Sequence, residues 1–389
     1  MTNKSISKSR SNPIIPFYTP SDKLIISSNG CCQQDSEGKQ YLDFDSGVWC
    51  TNLGHSHKRI IQVMQEQVKT SIHHGYRFRN AFAEQLSVEL IEVLGLNGGK
   101  SVFLSSGSEA VNLAITLAKQ FTDRRKVLKM DTSYLSAFGH GQISAHNHDL
   151  LTVAMNDLSS LDQIDFNEIA AFVFEPGTSL GLIHFPAAGF IHEIILKSKE
   201  NGVLLIADEV TCGFGRTGKW FGFQHYNFSP DMVVTGKALG NGYPVSALSI
   251  TAEMAELFDR NPFRYAQSHQ NDPLGCAIGM EVIQVIREEK LVERAYEVGS
   301  YFRKKLVCFQ EKHPDKVKEI RGNGMMLAME FLPAVDGELL NLKLFERGFI
   351  VGFKNNVLRF MPPLTISYRE IDFLIATMEE LCVKIEFIK

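Results

Sequence analysis

The sequence predicts an α/β protein, with a large domain built on a mostly parallel seven-stranded sheet and a smaller α+β domain beside it. Three observations lead there. Short apolar runs alternate with helical patterns through the middle of the chain. Several of those runs are apolar on both faces, as parallel strands covered by helices must be. Near residue 285 the alternation gives way to long helices and a few short strands. The expected division is 1–50 as an N-terminal segment of the small domain, 51–285 as the large domain and 286–389 as the C-terminal small domain.

The elements follow in order. Residues 13–50 are punctuated by Pro, Gly and Ser, with extended pieces "KLIISS" and "KQYLDFDS". At 57–72, Ile60, Ile61, Met64, Val68 and Ile72 share one helical face, and a second helical pattern covers 82–95. Strands are expected at 101–105, 126–130, 150–155, 169–175, 203–209, 231–236 and 245–250, with helices between many of them, notably 108–121 and 188–201. One long helical stretch is expected over roughly 273–312. "MMLAMEF", a helix near 338–348, "LRFMPPLTIS" and a last helix at 368–382 complete the smaller unit. No linker separates the two units, so they are expected to pack tightly around a shared cleft.

Bulk composition narrows the function. A net charge of −4 over 389 residues gives no field that favours nucleic acid or anionic membrane. No apolar run is long enough to span a bilayer. The start, "MTNKSISKSRSNP", is basic but is followed by no apolar core, which excludes a secretory signal and leaves a frayed tail or a transit peptide. The seven cysteines form no CxxC pair and are expected as free thiols in a reducing cytoplasm. "HNHD" at 146–149 reads as a surface loop. His55 with His57, and His73 with His74, lack a matching carboxylate–histidine pattern, so no metal is expected.

Three stretches carry chemistry. In "FLSSGSEAVNLAITLAKQF" (103–121) a strand ends, small residues turn the chain and a helix begins. Free N–H groups at a helix start, flanked by hydroxyls, make a phosphate cradle, although a plain N-cap gives the same pattern. In "LLIADEVTCGFGRTG" (204–218) a buried strand ends on Asp208, and a buried carboxylate needs a cationic partner. In "DMVVTGKALGNGYPVS" (231–246) Lys237 ends a strand among Gly236, Gly240 and Gly242. A lysine in a partly dry site can lose its proton and form a Schiff base. All three lie where strands end, the place where open α/β sheets bind ligands. Pyridoxal 5'-phosphate asks for this set: a cradle for its phosphate, a lysine for its aldehyde and an acid for its ring nitrogen.

These stretches, with "YLDFDSGVWCTNLGHSH", "FEPGTSLGL", "QNDPLGCA", "EIRGNGMMLAMEF" and "LRFMPPLTIS" in the same order, resemble the class III (subgroup II) pyridoxal-phosphate-dependent aminotransferases of fold type I. The resemblance covers nearly the whole chain. It implies a transaminase that moves an amino group from an amine or amino acid to a keto acid by a ping-pong mechanism. A racemase, epimerase or aminomutase of the same fold is the alternative. It further implies Lys237 as Schiff-base lysine and proton shuttle, and Asp208 as partner of the ring nitrogen. Ser106, Gly107 and Ser108 would hold the phosphate, Tyr134 would stack on the ring and Glu175 would belong to the surrounding network. Ser268 falls where a threonine reaches the phosphate of the partner subunit, which implies a homodimer with shared active sites.

Several positions depart from the family pattern. Leu135 stands where histidine or tryptophan is common, Ser136 replaces a glycine, and Thr211 replaces a frequent glutamine beside the cofactor. "SGVWC" and "DEVTCGFGRTG" are closer to the omega-amine and amino acid:pyruvate branch than to the ornithine branch, which would place Trp49 near the substrate. Arg359 matches a carboxylate-binding arginine. In the ornithine and 4-aminobutyrate branches a glutamate can mask it, whereas the matching position here is Leu180, so Arg359 is expected to stay open.

Overall fold

The computed structural model describes residues 14, 15, 17, 18, 21–144, 146–178, 180 and 182–384. The basic N-terminal stretch at 1–13 lies outside them. All seven expected strands form one sheet, with bounds shifted by at most two residues: β4 (Lys100–Leu104), β5 (Lys126–Met130), β6 (Leu150–Val153), β7 (Ile169–Phe174), β8 (Leu204–Asp208), β9 (Met232–Thr235) and β10 (Ser246–Ile250). Their order is β4-β10-β9-β8-β7-β5-β6. Only β10 runs antiparallel, against both β4 and β9. Every residue of β7, β9 and β10 is buried, because helices cover both faces of the sheet.

The helix Gly107–Thr122 shows why one cover fits. Ala110, Ala114 and Ala118 are fully buried at a spacing of four, a strip of small side chains that lets the helix lie close to the strands. Because β10 alone is reversed, the carboxyl ends of β4, β5, β7, β8 and β9 all emerge at one edge of the sheet. The three chemistry-bearing stretches meet at that edge.

Two four-stranded sheets flank the large one. The first joins β1 (Ile25–Asn29), β2 (Cys32–Asp35) and β3 (Gln40–Asp43) to β13 (Phe349–Ile350), bringing the two ends of the chain together. The second has the order β11-β12-β15-β14, with β11 Val317–Asn323, β12 Met326–Phe331, β14 Gly352–Lys354 and β15 Val357–Phe360. One expectation is corrected. The stretch 273–312 is two helices, Pro273–Glu288 and Leu291–Lys312, broken where Lys290 takes a left-handed φ of 51°. Glu288, Glu289 and Lys290 interrupt the apolar face, and buried Leu291 starts a new one. Among the described residues no helix is long and apolar enough to cross a membrane.

Candidate active site

A cavity of about 240 Å³ opens at the carboxyl edge of the sheet, lined by Ser106, Gly107, Ser108, Tyr134, Glu175, Asp208, Val210, Thr211 and Lys237 among others. One wall is the first turn of the helix Gly107–Thr122, whose N–H groups have no intrahelical acceptors. Ser106 is the N-cap, and its hydroxyl accepts from Glu109 N–H at 3.3 Å. Ser108 Oγ accepts from Ala137 N–H at 3.0 Å, which ties the cradle to the Tyr134 loop. Gly107 must be glycine here, since a Cβ would come within 2.8 Å of Val210 Cγ1. That close approach brings the helix dipole over the ends of β8 and β9.

Asp208 is the last residue of β8 and is almost fully buried. Loss of solvent pushes its carboxyl up to about 7, against the opposing pull of Val210 N–H, donated at 3.1 Å, and of the Lys237 charge. A carboxyl raised this far is short of positive charge. Its neighbour Glu209 is a different case. It is fully buried, accepts from Gly222 N–H at 2.8 Å and Phe223 N–H at 2.7 Å, and is pushed up to about 8 by burial. Glu209 therefore holds the loop after β8, and Asp208 faces the cavity.

Lys237 follows β9 with a left-handed φ of 41°, an uncommon conformation for a side-chain-bearing residue. Its Nζ donates to Thr211 Oγ1 at 3.0 Å and lies 5.2 Å from the centre of the Trp49 ring. Deeper in the network, Glu175 accepts Tyr134 N–H at 3.0 Å. Buried Lys129 donates to the carbonyls of Met130 and Ser133, at 2.8 and 3.1 Å, pinning the turn that leads to Tyr134.

The opposite wall is built from both chain ends. Ser46, Gly47, Val48 and Trp49 have φ of 42°, 59°, 57° and 71°, one turn of left-handed helix closed by Trp49 N–H to Asp45 O at 2.8 Å and Cys50 N–H to Ser46 O at 2.9 Å. Such a turn costs about 1–2 kcal/mol per residue with a side chain and persists only where its surroundings hold it. Here Ser46 Oγ donates to Met361 O at 2.7 Å, and fully buried Arg216 reaches Ser46, Asn52, Met325 and Pro362. The turn presents Trp49, whose Nε1 donates to Asp45 Oδ1 at 2.8 Å. Arg359 of β15 lies over the same ring at 5.1 Å, and its Nε has no hydrogen-bond partner among the described residues. Asp45 is raised to about 6, with burial outweighing the pull of Arg359 and of the Trp49 hydrogen bond. Gly352 makes room for the pair: a Cβ there would lie 2.8 Å from Asp45 Oδ1 and 2.9 Å from Arg359 Nε.

The structure thus gathers Ser106, Gly107, Ser108, Tyr134, Glu175, Asp208, Thr211 and Lys237 around one cavity, with Trp49 and Arg359 beside it. Ser268 stands apart on an exposed turn. Sequence reasoning passed over three contributors. Val210 lines the cavity, and its only signal is its place after the acid pair. Asp45 looks like any loop acid until Trp49 and Arg359 meet it. Lys129 is a charge inside a buried strand, an anomaly visible in "KVLKM".

The residues fit pyridoxal phosphate. The open helix start suits a dianionic phosphate, the desolvated Asp208 suits a protonated ring nitrogen, and Lys237 stands between them and the substrate wall. Fold and site together define a pyridoxal-phosphate enzyme of fold type I. A family model described as "Aminotransferase class-III" matches residues 18–145 and 138–382. The acetylornithine aminotransferase of Caldanaerobacter subterraneus is 32% identical over 384 residues, covering 94% of this chain and 95% of that one. The ornithine aminotransferase of a Geobacillus species is 31% identical over 388 residues, covering 93% and 94%. A crystal structure of acetylornithine aminotransferase from Elizabethkingia anophelis matches with a TM-score of 0.85 at 28% identity, covering 95% of this chain and 96% of that one. This chain belongs to the class III aminotransferases. It is a pyridoxal-phosphate-dependent transaminase, and these findings give no support to a racemase or aminomutase.

Proposed function

We propose that the site passes an amino group from an amine or amino acid to an α-keto acid whose carboxylate is held by Arg359. The observation that carries this is the shared ring: Lys237 and Arg359 both lie about 5 Å from the centre of Trp49. Lys237 and Arg359 thus border the same indole ring, which supports a substrate held between them. The guanidinium fork suits a carboxylate with two parallel hydrogen bonds. Leu180 carries no charge that could occupy the arginine. Asp45 is an acid packed against the Arg359–Trp49 pair, and burial raises its carboxyl to about 6, which weakens its hold on the guanidinium.

When bound, pyridoxal phosphate supplies an electron-accepting ring that stabilises charge at the amine-bearing carbon. The rest is done by the chain. Ser106, Gly107 and Ser108 bind the phosphate through N–H and hydroxyl groups. Asp208 keeps a proton on the ring nitrogen by electrostatics in a dry site. Tyr134, whose backbone N–H is held by Glu175, would cover the ring. Lys237 Nζ would take the proton from the amine-bearing carbon of the substrate, and Thr211, which accepts a hydrogen bond from Nζ at 3.0 Å, would orient that amine. Trp49 excludes water from the substrate side.

The donor class is drawn from two sources. The relatives are named for acetylornithine and ornithine, whereas Trp49-Cys50 and Leu180 resemble the omega-amine branch; ornithine-type and ω-amino acids are the donors to assay first. The exposed Ser268 supports a homodimer in which each chain completes the other's phosphate site. We take 51–285 as the cofactor domain, with 1–50 and 286–389 forming the small domain, and place the enzyme in the cytoplasm on the strength of its free thiols. The test is a donor screen with pyruvate and 2-oxoglutarate as acceptors, run beside analytical sedimentation. Amino transfer to a keto acid by a dimer is expected; a fully active monomer, or transfer only to aldehydes without a carboxylate, would overturn the reading.

A further inference from the structure

We infer that His73, His269 and Asp272 form a binding site for a divalent transition-metal ion of the zinc class. The three side chains offer one donor atom each, and these atoms lie within 4.8 Å of one another. His73 Nδ1 is 2.6 Å from Asp272 Oδ1, and His269 Nδ1 is 2.6 Å from Asp272 Oδ2. The two imidazole rings are 4.9 Å apart, so both face one carboxylate from adjacent positions. Two imidazoles with one carboxylate, open to water at the remaining positions, are a donor set for zinc, cobalt or nickel and not for calcium or magnesium.

The carboxylate is placed for this purpose at a cost. Asp272 is the N-cap of the helix Pro273–Glu288, where an aspartate ordinarily accepts from the first-turn N–H groups. It makes no such bond here and turns to the histidines. Its position is fixed from behind. Asn271 N–H donates to Phe103 O of β4 at 2.9 Å, and its Oδ1 accepts from Phe103 N–H at 2.9 Å. Asn80 Nδ2 donates to Asn271 O at 2.7 Å, which anchors the chain segment carrying His73 to the same loop. In the single chain the carboxylate side chain is 15% exposed and the imidazoles 41% and 63% exposed.

Metal entry balances without any co-reactant. In the metal-free form each neutral imidazole donates its Nδ1 proton to Asp272. On binding, each ring moves that proton to the solvent-facing Nε2 through water, and the freed Nδ1 lone pairs coordinate the ion with the carboxylate. The ion would clasp the segment at 71–80 to the turn at 267–272, which also carries Ser268.

The experiment uses untagged holoenzyme in a Cys308→Ser background, because Cys308 is an exposed thiol. Equilibrium dialysis against zinc measures binding, and cobalt reports coordination through its visible absorption. We expect one zinc per chain, at least tenfold weaker binding in His73→Ala, His269→Ala and Asp272→Asn singly, and none in the double histidine variant. His74→Ala, a neighbour outside the cluster, should bind as the parent does. Zinc should raise the melting temperature of the parent and leave the double histidine variant unmoved. Equal stoichiometry and affinity in the parent and the double variant would overturn the site, as would the absence of bound zinc in a parent shown to be folded by circular dichroism.

Discussion

The two walls of the active site are built by opposite means. The cofactor wall uses ordinary chain geometry: strands end, the chain turns and a helix begins. Its groups come from β4, β8 and β9, which share one edge because of sheet topology. The substrate wall uses a left-handed turn at Ser46–Trp49, held by fully buried Arg216 and by contacts to residues more than 300 positions away. The first is ordinary in conformation apart from Lys237, which takes a left-handed φ of 41°. The second is strained and exists only because both ends of the chain pack together. In the function proposed above, cofactor chemistry belongs to the first wall and selection of the substrate to the strained one.

Mutations on each wall should therefore fail in different ways. The largest effect is expected at Lys237. Lys237→Ala should lower kcat on the order of 10³-fold or more, while the phosphate cradle still retains cofactor by absorbance. Turnover near the parent rate would remove Lys237 from the mechanism. Asp208→Asn comes next, with a loss on the order of 10²-fold or more in kcat, since the shape stays and the charge opposite the ring nitrogen goes. A rate within twofold of the parent would contradict the role given to it.

On the substrate wall, Arg359→Lys keeps charge but loses the fork. We expect KM for a keto acid to rise roughly tenfold, with KM for a carboxylate-free aldehyde unchanged. Equal changes in both, or none, would show that Arg359 is not the clamp.

Two stability measurements sharpen the contrast further. Burial raises Glu209 to about 8, so the native state keeps a proton that the unfolded chain releases near pH 4 to 5. Wild-type stability from this group is present below that range and falls as pH rises toward 8. Glu209→Gln does not titrate, so its melting temperature relative to the parent should improve between pH 5 and pH 8; a constant difference would remove the argument. The smallest effect is expected at Val48, an exposed β-branched residue at φ 57°. Val48→Asn should stabilise by up to about 1 kcal/mol, because asparagine tolerates the left-handed region. A loss of stability would mean the turn is not strained there.

Much of this was legible before any coordinates. Alternation of apolar runs located all seven strands of the large sheet, because strands buried on both faces can be written only in apolar residues. Asp208 and Lys237 stood out because a charge at the end of such a run needs a reason. The chain alone thus determined the fold class, and its resemblance to the class III aminotransferases gave the reaction. Strand direction was not legible, since an apolar run has no polarity, and β10 could be seen to reverse only in the sheet. The break at Lys290 depended on which side of each helix is covered. Asp45 and the approach of His73 to Asp272 depend on contacts across 199 or more positions in the second case, and on both chain ends in the first. Only tertiary packing decides such contacts, because no local pattern encodes the distance between residues that the chain brings together last.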